Sequence, residues 1–60
     1  MPTDYRAARE LALEAFEKDF IAHVLRTFDK NVSKAARESG IDRVYLHKLI
    51  KKHGLDVDTL

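Results

Sequence analysis

A chain of 60 residues makes one small domain; a domain of that size buries only about 60% of the surface exposed when unfolded, which leaves no room for a deep catalytic cleft. There is no cysteine, so disulfides and thiolate metal sites are excluded, and the longest apolar runs are three residues, as at Phe20–Ala22, too short for a membrane span or a signal-peptide core. With 45% apolar and 35% charged residues, two Gly and one Pro, the composition predicts an all-α fold with a packed core, in a cytoplasmic setting.

Thr3 or Asp4 offers a short side-chain oxygen to the free amides of a first helical turn, and no Gly or Pro interrupts Tyr5 to Phe28. The first predicted helix therefore covers 4–28, about 35 Å at roughly 1.5 Å per residue. Its apolar side chains fall into two neighbouring seams: Leu13, Phe16, Phe20 and Val24 form one, and Ile21, Leu25 and Phe28 run beside it. The rest of so short a chain can cover one seam only. Leu13, Phe16, Phe20 and Val24 are accordingly read as a dimerisation surface, closed by a second copy in a homodimer.

Asp29, Lys30 and Asn31 are turn formers, and Asn31 or Ser33 can cap the second helix, predicted over 32–39 with Val32, Ala35, Ala36 and Ser39 facing inward. Gly40 stands where a helix end turns left-handed, Ile41 anchors the turn, and Asp42 caps a third helix over 43–53. In that helix Leu46, Leu49, Ile50 and His53 recur at i, i+3, i+4 and i+7, and Gly54 stops it. The tail, 55–60, has too little periodicity to assign.

Two short helices joined by a Gly-containing turn are a helix-turn-helix. Ala36 is small enough for the third helix to cross closely. Once the inward positions are assigned, Arg43, Tyr45, His47, Lys48, Lys51 and Lys52 remain on the outward face of the third helix, a set suited to the major groove and phosphate rim of duplex DNA. Charge agrees with that reading: residues 1–28 hold four Lys/Arg against five acids, whereas 30–53 hold seven against two. Lys51 and Lys52 also offset the helix dipole, by about 0.3–1 kcal/mol each. Arg43, in the first turn, gains nothing from the dipole, which makes it the first choice for a DNA contact.

The run Asn31–Leu55 carries N-x-S-x-A-A, G-I-x-R and K-L-x-K-x-x-G, and it resembles the Fis-type helix-turn-helix, the DNA-binding end of Fis and of NtrC-family activators that work with sigma-54. The resemblance implies a long N-terminal dimerisation helix followed by a helix-turn-helix, in a homeodomain-like three-helix arrangement, with the whole of 1–60 one DNA-binding domain. It also implies a dimer on a roughly palindromic double-stranded site. Asn31 and Ser33, with Lys34 beside them, would sit at the backbone-contacting start of the second helix. Arg43, Tyr45, His47 and Lys48 would face bases or nearby phosphates, and Lys51 and Lys52 the DNA backbone. Ser39 departs from the family's usual bulkier apolar residue, which predicts a looser core there.

Activators of this class carry an ATPase of the AAA+ type, and no G-x-x-x-x-G-K-[ST] loop exists here. The chain is thus expected to be the C-terminal DNA-binding domain of a sigma-54-dependent activator, with an AAA+ domain upstream in the parent chain and a nucleoid-associated location. The alternatives are a stand-alone Fis-like architectural protein and a helical protein-interaction module that binds an acidic partner. No enzyme activity, catalytic residue, metal, cofactor or small-molecule ligand is expected. His47 and His53 point to different helix faces and His23 is distant in sequence; His53 reads as a packed core residue, His47 as a phosphate or base contact when protonated. Glu14 and Glu17 read as solvated surface, and the acidic flanks of the first helix argue against anionic membranes.

Overall fold

Each helix begins on an Asx side chain three residues ahead of the amide it satisfies. Asp4 Oδ2 accepts from the Ala7 N–H at 3.0 Å, Asn31 Oδ1 from the Lys34 N–H at 3.1 Å, and Asp42 Oδ2 from the Tyr45 N–H at 3.1 Å. In the computed structural model, which describes Met1 to Leu60, these caps open three α-helices: α1 (Tyr5–Thr27), α2 (Val32–Ser39) and α3 (Arg43–Lys52), with a 3₁₀ turn at Val57–Thr59 and no strand. Asp4 and Phe28 cap α1 and His53 caps α3, so the predicted spans 4–28 and 43–53 included capping residues.

All three helices also end alike. An amide just past the cap reaches five residues back: Lys30 N–H to the Leu25 carbonyl at 2.7 Å, Ile41 N–H to Ala36 at 3.0 Å, and Leu55 N–H to Ile50 at 3.0 Å. This closure needs a left-handed residue, supplied by Gly40 (φ 74°) and Gly54 (φ 63°). After α1 it is Asp29 (φ 54°), followed by Lys30 (φ 65°), so two residues with side chains occupy the region that favours glycine. An added Cβ at Gly40 would meet no atom within 4 Å. Glycine is required there for backbone conformation, not for space.

The core lies where the three helices meet. Ile21, Val24 and Leu25 of α1, Ala35 and Ala36 of α2, and Leu46, Leu49 and Ile50 of α3 form one buried cluster. Leu25, Ala35 and Leu46 are wholly inaccessible. Ala35 and Ala36 bring the α2 backbone against its neighbours, and a larger side chain at either would overpack the crossing. Ser39, at the end of the same face, donates its hydroxyl to the Ala35 carbonyl at 2.6 Å, so the polar substitution in this part of the core is internally satisfied.

Two features differ from the sequence reading. Val24 belongs to the core of its own chain, 6% exposed, and Phe20 is half-buried against that core. Val24 is therefore removed from the expected dimerisation set: the helix rotates it toward Ile21 and Leu25 while Leu13 and Phe16 stay in solvent. The tail, which carried no periodic signal, is ordered by packing, with Leu55, Val57 and Leu60 resting on the core. Lys30 Nζ donates to the Asp58 carbonyl at 3.1 Å and ties this tail to the turn after α1.

Candidate nucleic-acid interface

The left-handed turn at Gly40 and the Asp42 cap place α3 across α2, with Ile41 half-buried against the core between them. Burial of Leu46, Leu49 and Ile50 fixes the rotation of α3 about its own axis. Val44, Lys48 and Lys51, at i, i+4 and i+7, then lie on the side opposite that face. Arg43 and His47 flank the ridge on one side, Tyr45 and Lys52 on the other, and all seven residues are exposed.

Exposure does not make the cations equivalent. Arg43, Lys48 and Lys51 make no hydrogen bond or ion pair through their side chains, and His47 makes none either. The other cations of the basic half have partners: Arg37 lies 3.7 Å from Glu38, Lys30 is bound to Asp58, and Lys34 sits over the Phe28 ring at 5.8 Å. Near α2, the Asn31 side-chain oxygen is used as the helix cap, while Ser33 is exposed.

Lys52 departs most from expectation. Its ammonium lies 3.4 Å from Glu17 and 3.9 Å from Glu14, because its flank of α3 faces the acids of α1. Its ammonium is thus paired within the protein, whereas that of Lys51 has no partner. Glu17 likewise is not merely solvated surface. His53 Nε2 donates to its carboxylate at 2.6 Å, and the His53 side chain is only 7% exposed. The His53 N–H holds the Glu17 carboxyl below its ordinary value of 4.5; partial burial opposes the shift, and the nearby Lys52 adds to it. The link joins the middle of α1 to the end of α3 across 36 positions of sequence, so no local pattern announces it.

Val44 was also missed. It is a 63% exposed apolar side chain in the first turn of α3, and its spacing to Lys48 and Lys51 is the signal that could have found it. No group of three His, Asp or Glu side chains is placed to hold a metal ion, and no helix is long and apolar enough to cross a membrane. The one concavity, about 300 Å³, lies between α1 and the end of α3 and is lined by Glu10, Leu13, Glu14, Glu17 and Lys52.

Compared with models of protein families, residues 12–53 match that of the bacterial regulatory proteins of the Fis family. The chain belongs to the Fis family. The match takes in α1 from its third turn onward, all of α2 and α3, and His53; the start of α1 and the tail lie outside it. Neither the curated proteins nor the solved structures compared with the chain gave a match. Membership in this helix-turn-helix family implies DNA as the partner and a regulatory role, and the Fis-type turn at Gly40 with its exposed, basic α3 is the part of the molecule suited to that partner.

Proposed function

We propose that this domain binds specific sites in double-stranded DNA as a homodimer, with α3 in the major groove, and serves as the DNA-binding part of a sigma-54-dependent activator of the NtrC type. The carrying observation is the trio Arg43, Lys48 and Lys51, unpaired on the outward side of a helix whose inward side is locked into the core. Free cations along one ridge can displace counterions from phosphates, and an arginine in the first turn can reach guanine edges. Tyr45 and His47 border the same ridge, and Asn31, Ser33 and Lys34 would meet the backbone at the start of α2. The domain acts by binding, in the bacterial cytoplasm at the nucleoid, without catalysis or cofactor.

The dimer reading is supported by apolar surface that α1 leaves uncovered. Leu11, Leu13 and Phe16 are 54%, 48% and 63% exposed, and Phe16 stacks on Phe20 with ring centroids 5.7 Å apart, extending the core's apolar surface along the helix. Leu13, Phe16 and the outer edge of Phe20 would be covered by the second copy, setting two α3 helices about one duplex turn apart. Phe16→Asp should leave the helical content at high concentration intact and shift sedimentation to the monomer; a wild type already monomeric at high concentration refutes the dimer. The NtrC assignment rests on the resemblance of Asn31–Leu55, and an ATPase-coding region in the same gene is its direct test.

A salt titration tests DNA binding. Log affinity for a duplex should fall linearly with log salt; Lys51→Ala should reduce that slope by about one, and Lys52→Ala, already paired with Glu17, should reduce it less. Arg43→Ala should cost about 1–3 kcal/mol on the preferred site and relax selection at one base pair. Equal losses on specific and random duplexes would remove Arg43 from base recognition.

A further inference from the structure

We infer that Val44 reads the C5-methyl group of a thymine, making it a specificity-determining residue of the DNA-binding face; the inference rests on the DNA reading above. Val44 is 63% exposed and lies outside the core cluster and the apolar residues packed on it. A β-branched residue loses side-chain freedom in a helix, so an exposed valine in a first turn contributes less to α3 than alanine would. The core therefore does not call for a valine at this position.

Its surroundings indicate what it meets. Val44 shares the outermost ridge of α3 with Lys48 and Lys51, which have no protein partners, and it is the member nearest the helix N-terminus. When a recognition helix docks, its N-terminal residues come closest to base edges, while cations further along draw it against the phosphates. Val44 is thus carried toward the floor of the groove with a side chain that can neither donate nor accept a hydrogen bond. The guanine, adenine and cytosine edges are distinguished there by hydrogen-bonding groups, and thymine alone among the four bases adds a methyl. Against any other base, Val44 would strip water from a polar edge without replacing its hydrogen bonds.

The test begins with a duplex selected by the wild-type domain from a random pool, in which each thymine is replaced singly by deoxyuridine, removing only the methyl. At one thymine per half-site the wild type should lose about fourfold in affinity, the worth of one buried methyl group. Val44→Ala should bind the thymine duplex correspondingly more weakly and be insensitive to deoxyuridine at that position. Alanine is the better helix former, and a thermal melt of the variant verifies that the fold is kept.

The same methyl is carried by 5-methylcytosine, so a second series replaces cytosines singly by that base; no gain in binding there assigns the contact to thymine. A gain with 5-methylcytosine but no deoxyuridine sensitivity overturns the assignment. So do equal deoxyuridine losses in wild type and Val44→Ala, which would mean that another residue or duplex shape senses the methyl. A wild type that selects no duplex sequence defeats the DNA reading itself, and Val44 with it.

Discussion

The two ends of α1 obey the same helical rules and meet opposite fates. From Ile21 onward the helix is clamped by α2 and α3, and Ile21, Ala22, Val24 and Leu25 are all buried. Ahead of that point none of its side chains is buried, although Leu11, Leu13 and Phe16 are as apolar as those that are. The difference is supply of partners: α2 and α3 together contain only eighteen residues, and their inward faces are used up against the last two turns of α1. One end of the helix is folded by its own chain; the other leaves Leu11, Leu13 and Phe16 exposed.

The sharpest way to break that contrast is to truncate one side chain from each kind of surface. Leu46→Ala should cost about 2–5 kcal/mol, because it removes a wholly buried side chain at the junction of all three helices. A sixty-residue domain has little more than that in reserve, so thermal denaturation should show a largely unfolded variant. Phe16→Ala, outside the core, should leave the unfolding transition of the separated monomer within about 0.5 kcal/mol of wild type. A large loss from Phe16→Ala in the monomer would mean that the Phe16–Phe20 stack is part of the monomer's own core.

The helix ends sharpen the comparison at intermediate cost. Gly40→Ala should destabilise by about 1–2 kcal/mol, the penalty of a Cβ in the left-handed region, since no neighbouring atom is crowded. Asp29→Gly should act in the opposite direction, by about 0.5 kcal/mol, because strain relieved at φ 54° is partly offset by the greater freedom of glycine in the unfolded chain. Urea denaturation of the two variants should move the midpoint in opposite directions. If Asp29→Gly destabilises instead, the aspartate has a stabilising role beyond its φ.

The smallest effect concerns the join between the two regions. Glu17 has a lowered pKa in the folded protein, chiefly through the His53 N–H, so its ionised form stabilises the fold above the unfolded-state value and that contribution disappears as pH falls through the folded one. Glu17→Gln should therefore lower the melting temperature at pH 7, with the gap to wild type closing as pH falls from 4.5 through the lower folded value, where Glu17 too becomes neutral. A gap constant from pH 7 to pH 3 would show that the carboxylate charge is irrelevant to the contact.

Most of the α2–α3 unit was legible because its signals are local. Asp42 and Asn31 act on amides three residues away, Gly40 acts on its own backbone, and the Leu46, Leu49 and Ile50 spacing reports the inward face within one turn of helix. The outward face follows by subtraction, although Val44 is easily overlooked among cations when chemistry is weighed ahead of position. The ion pairs of Lys52 were illegible for the opposite reason. Its sequence neighbours are basic, yet its partners are Glu14 and Glu17, more than thirty residues away.

The amino-acid sequence by itself determined three helices, their caps and stops, and the family to which the chain belongs, since hydrogen bonds between near neighbours and the helical repeat specify these. Tertiary structure decided which apolar seam of α1 is consumed, that Val24 is buried while Phe16 is not, that the tail packs, and which cations stay free. Those outcomes depend on how close residues distant in sequence are brought to one another, and that distance exists only once the helices have crossed.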